Sequence, residues 1–198
     1  MKDTKEIILK TAYDMFMCNN YEAVTINSII KATGLTKGAI YHYYDSKESL
    51  FKAVVDKYMV ENHIDSSVEY TSLIELIEST IEHIRFHIKH HMLENPNFQN
   101  EVPINYLSLM VAAYRYYPDY AKIGNIFYQG LKEKWAKTLN KAIESKEVKN
   151  NLDVDAIIIL FLQIGPGIAS HIILGESVDY ALEICERQYR ELYKNIKN

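Results

Sequence analysis

Residues 25–51 read TINSIIKATGLTKGAIYHYYDSKESLF, and hydroxyls, lysines and phenols recur there at helical spacing. Lys37 opens a short segment whose apolar residues recur with a helical period. A cation at that end opposes the helix dipole. A helix built only for its own stability avoids that choice, so an anionic partner explains Lys37 better. Once Ile29, Ala32, Leu35 and Ile40 are assigned to packing, Lys37, Gly38, Ala39, Tyr41 and Tyr43 are left facing outward. Donors on a slim outward face suit phosphate oxygens and base edges. Bond-breaking chemistry has no comparable signal. There is no Gly-rich phosphate loop, no G-x-S-x-G elbow and no H-E-x-x-H pair, so the chain is expected not to be an enzyme, with no catalytic residue.

Two short helices must position those side chains. Thr25 is placed to cap one over 26–32, with Ile26, Ile29 and Ile30 inward. Thr33-Gly34-Leu35 predicts a tight turn in which Gly34 takes a positive φ without steric cost. Thr36 caps the next helix, over 37–43, and Ser46 caps a fourth that runs to about Val60. A first helix over 3–18 carries Ile7, Ile8, Ala12, Met15 and Phe16 on one face. Two short helices joined by a glycine-containing turn form the helix-turn-helix plan, whose second helix enters the major groove.

These residues resemble the DNA-binding head of the TetR (tetracycline-repressor-like) family of bacterial transcriptional regulators. The likeness rests on Thr25, on Thr33 through Gly38, and on Ile40-Tyr41-His42-Tyr43-Tyr44 followed by Ser46-Lys47-Glu48-Ser49-Leu50. It covers about residues 3–55. The resemblance implies a repressor that binds a double-stranded operator, dimerises and answers to a small-molecule effector. It implies phosphate contacts from Thr25, Tyr41 and Lys47, with Tyr43 near a phosphate or base. Lys37 and Asn27 suit guanine and adenine edges. Thr36 caps the reading helix, and Gly38 and Ala39 allow close approach. No arginine precedes Arg85, so backbone binding rests on a few lysines, hydroxyls and phenols. The alternative is a helical small-molecule or metal-binding adaptor that does not act on DNA.

Beyond the head the chain stays helical, over about 71–93, 103–116, 119–147, 153–174 and 177–196, with no period-two alternation. The expected fold is all-α: a three-helix head over 1–50 and a helical effector-binding and dimerisation domain over 51–198. Residues 153–174 are apolar nearly all round, so that helix needs cover on every side. A twin subunit supplies it in the expected homodimer, together with 177–196. Its uncharged core, Ala156–Leu174, is 19 residues long, but Gly165-Pro166-Gly167, Gln163 and His171 suit a buried helix better than a membrane span. Candidates for an effector pocket are Tyr106, Met110, Tyr114, Tyr117, Phe127, Trp135, Phe161 and Gln163. His83, His87 and His91 share a helix face at spacings of four, which suits either a transition metal or a solvated surface. The solvated face is the reading taken, and no metal or cofactor is assigned.

The 198 residues are 48% hydrophobic and 24% charged, as in an ordinary globular chain. The two cysteines form no C-x-x-C pattern and the N-terminus is polar, so a cytoplasmic setting is expected. A net charge of -4 argues against DNA only when taken whole. Residues 1–50 hold six lysines and six acids, and the acidity lies beyond them.

Overall fold

The computed structural model describes residues 4–60, 68–89 and 102–198, with side chains described from 107 onward in the last stretch. The described residues form an all-α fold of nine helices. These are α1 (Thr4–Cys18), α2 (Ile26–Thr33), α3 (Lys37–Tyr41), α4 (Lys47–Val55), α5 (Leu73–Ile88), α6 (Val102–Tyr116), α7 (Tyr120–Glu144), α8 (Val154–Ile173) and α9 (Val178–Ile196). A 3-10 turn at Tyr21–Ala23 and a π turn at Asp56–Val60 complete them.

Two compact units result: Met1–His63 with Asn95–Gly124, and Ile64–Glu94 with Asn125–Asn198. This partition differs from a division at 50/51. α4 runs through residue 50, and α6 packs on α1 and α4, which brings a segment far along the chain into the first unit.

In the first unit, Ile8, Ala12 and Phe16 of α1 meet Leu50, Phe51 and Val54 of α4, all buried. Phe16 and Tyr21 each make a T-shaped contact with Phe51, with ring centroids at 4.9 and 4.7 Å. The end of α6 is tied in by phenols. Tyr117 Oη donates to Asp56 Oδ1 at 2.7 Å, and Tyr116 Oη donates to Glu22.

The second unit is built on a stack in which Trp135 lies on Phe161 with centroids 4.8 Å apart, and Phe161 lies on Tyr189 at 6.1 Å. Leu73, Leu76 and Ile77 of α5 and Ala181 and Cys185 of α9 join the same core. A Cβ on Gly165 would stand 3.3 Å from Ile84 Cδ1, so α8 and α5 approach closely where the glycine sits. Glu147 caps α5 from a distant part of the chain: the Leu73 and Ile74 amides donate to its carboxylate at 3.0 Å, as does Tyr193 Oη. Three donors on one carboxylate fasten α5, the α7–α8 connection and α9 together.

Burial, reinforced by neighbouring carboxylates, pushes the Tyr21 and Tyr193 phenols up to about 12. Tyr58, Tyr117 and Tyr189 are also raised, with burial the largest cause. A raised folded-state pKa favours the folded chain below the ordinary tyrosine value of about 10. That contribution is lost as pH climbs through 10 towards 12, because the unfolded chain then sheds protons the folded one keeps. Tyrosinate absorbance and helical circular dichroism followed together should show a fraction of the tyrosines ionising only as helix is lost. Complete ionisation with helicity intact would contradict this.

Candidate nucleic-acid interface

The head is assembled by caps. Thr25 Oγ1 accepts from the Ser28 amide and Ser28 Oγ accepts from the Thr25 amide, each at 3.0 Å, a reciprocal box that starts α2. Gly34 ends α2 at φ +69°, and its amide donates to Ile30 O at 3.0 Å. That left-handed position costs a side-chain-bearing residue energy, which glycine avoids. Thr36 Oγ1 then accepts from the Ala39 amide at 3.2 Å and starts α3. Ser46 and Ser49 repeat the reciprocal box at α4.

Of the isoleucines expected inward, Ile29 and Ile40 are fully buried, while Ile26 and Ile30 are half-buried. Leu35 is half-buried. Ala32 is exposed, so it does not form the close helix contact expected of it; Ile29 alone is buried in α2. Lys37, Gly38, Tyr41 and Tyr43 are exposed, Ala39 half-exposed, and Thr25, Asn27 and Thr36 exposed on the same head. Lys37 Nζ lies 5.6 Å from the Tyr41 ring centre, one helical turn on, so a cation–π contact steers the lysine along α3. His42 lies next to these residues. It is exposed, sets its ring edge-on to Tyr43 at 4.9 Å, and lay in plain sight in the run Tyr41-His42-Tyr43.

Lys47 is placed differently. Its ammonium donates to Tyr21 O at 2.6 Å and sits 4.0 Å from the Tyr21 ring centre. Burial, outweighing the nearby carboxylates of Glu22 and Glu48, lowers its pKa. Nothing in the local sequence announces this, because Tyr21 is 26 positions away.

The pocket candidates fall in both units. In the first, Met110 and Tyr114 are exposed and Tyr117 is buried on Asp56. In the second, Trp135 and Phe161 are fully buried in the aromatic stack, Phe127 is half-buried and Gln163 is exposed. The Tyr106 side chain lies outside the described residues. Tyr189, which sequence reasoning did not single out, completes the stack. His83 and His87 do share a face, with ring centroids 4.2 Å apart, while His91 lies outside the described residues. Among the described residues no three His, Cys, Asp or Glu side chains converge on a metal-sized site.

Comparison with known proteins adds to this geometry. Residues 8–54 match the family model described as bacterial regulatory proteins, tetR family. The chain is 30% identical over 81 residues to the uncharacterized HTH-type transcriptional regulator YxaF of Bacillus subtilis, covering 37% of this chain and 42% of that protein. It is 25% identical over 114 residues to IcaR of Staphylococcus epidermidis, the negative transcriptional regulator of the biofilm operon icaADBC, covering 46% of this chain and 62% of that protein. The matched region thus spans 42% and 62% of the lengths of these two curated relatives. The crystal structure of MexZ, a key repressor responsible for antibiotic resistance in Pseudomonas aeruginosa, shares the fold with a TM-score of 0.72 at 16% identity. That likeness covers 100% of this chain and 96% of MexZ.

A Cβ added at Gly38 meets nothing within 4 Å, and its φ is ordinary. The fold therefore does not require a glycine there. Gly38→Ala should stabilise the chain by roughly 0.5–1 kcal/mol, as alanine replaces glycine in a helix. Urea unfolding measures it, and a loss of stability would mean that Gly38 serves the fold after all.

Proposed function

We propose that this chain, a member of the tetR family through residues 8–54, is a sequence-specific DNA-binding transcriptional repressor controlled by a small-molecule effector. The observation that carries this is the outward face of α3. Lys37 and Tyr41 stand exposed on a helix fixed by a side-chain cap and a buried isoleucine, and Tyr43 stands exposed in the turn that follows it. Gly38 supports it: a glycine the fold does not need leaves room for a nucleic-acid surface to approach. In this reading Lys37 and Asn27 address base edges, Ala39 offers its methyl to thymine, and Thr25, Tyr41, Tyr43 and Lys47 address the phosphates. Thr36 holds α3 at the angle this requires.

The function divides between a reading head over 1–50 and an effector-binding and dimerisation part over 51–198. The chain acts by binding and not by catalysis, in the cytoplasm where its operator lies. A homodimer forms through α8 and α9. Ile159, Leu160 and Ile173 of α8 are 44%, 52% and 48% exposed, and Tyr180 of α9 is 45% exposed. By length and composition α8 is also a helix that can cross a membrane. The dimer is the better reading because Gln163, Pro166 and Ser170 lie exposed on the same helix, and polar groups in hydrocarbon are costly. Two α3 helices then enter successive major grooves about 34–36 Å apart. An effector that favours the non-binding arrangement releases the DNA. The eight pocket candidates stay the proposed sources of effector contacts, with Trp135 and Phe161 reached only if the aromatic stack opens.

Fluorescence anisotropy on the DNA upstream of the protein's own coding sequence, taken across a salt series, tests this. Binding should weaken steeply with salt. Lys37→Ala should change sequence preference. Lys47→Ala should weaken all sequences alike and reduce the salt slope by about one. Binding indifferent to salt and sequence would sink the proposal. Separately, Leu160→Glu should convert the dimer to monomer in analytical ultracentrifugation while leaving helicity in place; an unchanged dimer would move the interface elsewhere.

A further inference from the structure

Lys47 is the first residue of α4, and both its hydrogen bond and its charge are engaged inside the first unit. Its ammonium holds Tyr21 O at 2.6 Å and lies 4.0 Å from the Tyr21 ring centre. The same ring is stacked on Tyr116 from α6, with centroids 4.1 Å apart and planes 19° from parallel. An ammonium and a second ring at those distances from one centroid exclude each other from a single face. Tyr21 therefore carries Lys47 on one face and Tyr116 on the other. The arrangement is fastened at its edges. Tyr116 Oη donates to Glu22, Tyr21 Oη reaches Glu48 at 3.4 Å, and both carboxylates act electrostatically on Lys47.

We propose that Tyr21 and Tyr116 are positioning residues for DNA binding: their stack holds Lys47 turned inward, and Lys47 reaches a phosphate only when the end of α6 lets the stack go. This rests on the reading of the chain as a DNA-binding regulator and adds to it a residue-level link between α6 and the phosphate-facing side of the head. The physical logic is competition for one ammonium. A carbonyl, a π face and two carboxylates hold it in the free chain, and a phosphate must outbid them. Removing Tyr116 takes away the backing of the Tyr21 ring, which loosens the π face and the Tyr21 carbonyl that hold the ammonium. The neighbouring Tyr117–Asp56 hydrogen bond, with Lys52 Nζ 5.1 Å from the Tyr117 ring centre, keeps the end of α6 attached to the head while the stack opens.

The test uses the full chain, the DNA upstream of its coding sequence, and the variants Tyr116→Ala, Lys47→Met and their combination. Tyr116→Ala should bind roughly two- to tenfold more tightly, the range set by the worth of an aromatic pair. The gain should vanish in the Lys47→Met background. Unchanged or weaker binding by Tyr116→Ala, or a gain that survives without Lys47, overturns the proposal. The unmodified chain supplies a measurement that needs no variant to fold. With isotope-labelled lysine, the Lys47 ε-methylene resonance should be shifted upfield by the Tyr21 ring in the free chain and return to its ordinary position on saturation with DNA. A free chain without the ring shift overturns the stack whatever DNA does, and a shift that persists in the complex overturns the release. A chain that shows the ring shift but binds no DNA at any salt concentration instead removes the parent reading.

Discussion

Ile40 is the buried residue of α3, and a helix of five residues has no cooperative stability of its own. Its orientation comes from outside: from Ile40 buried in the head, from the Thr36 hydroxyl on the Ala39 amide, and from the left-handed turn at Gly34. Each of these fixes a different freedom. The buried side chain sets depth, the cap sets where the helix begins, and the glycine sets the angle at which the chain leaves α2. The exposed face of Lys37 and Tyr41, continued by Tyr43 in the next turn, is what remains when those freedoms have been removed. An oriented face on so short a helix depends on supports that are rigid and local.

Those supports were legible in the sequence because they are short-range. Thr25, Thr36 and Ser46 each act on an amide three residues on, and Gly34 acts on its own backbone. The helices of the second unit were legible for the same reason, through apolar periodicity. What stayed hidden is long-range. Nothing near Lys47 says that a tyrosine 26 positions earlier will take its ammonium. Nothing near α6 says that it packs on α1 and α4 and so moves the boundary of the compact unit away from residue 50. Ala32 failed for another reason. It was assigned to packing, but Ile29 is the residue of this eight-residue helix that is buried, and Ala32 faces solvent.

The sixteen tyrosines make sense in the same frame. A phenol is an apolar plate with a polar tip, so it can pack in a core and still reach a carboxylate at the edge. Tyr21, Tyr117 and Tyr193 pack in this way and reach Glu48, Asp56 and Glu147, and half-buried Tyr116 stacks on Tyr21 and reaches Glu22. Phenylalanine would pack as well but would leave those acids with fewer partners. Joints of this kind hold by a hydrogen bond that water can replace, which lets them open at less cost than a purely apolar contact of the same size.

α8 shows where such joints end and a different constraint begins. One side of it, Ile158, Phe161, Leu162 and Ile168, is satisfied within the second unit's own core. The other presents Ile159, Leu160 and Ile173 to water, with Gln163, Pro166 and Ser170 among the exposed positions of the same helix. Lipid satisfies the isoleucines but not the glutamine, or the carbonyl that Pro166 leaves without its helical donor. Water satisfies the polar groups but not the isoleucines. A second protein surface with the same mixture satisfies both, and a second copy of α8 is by construction such a surface. The proposed homodimer takes the composition that makes this helix look membrane-like as one half of an interface whose other half has the same sequence.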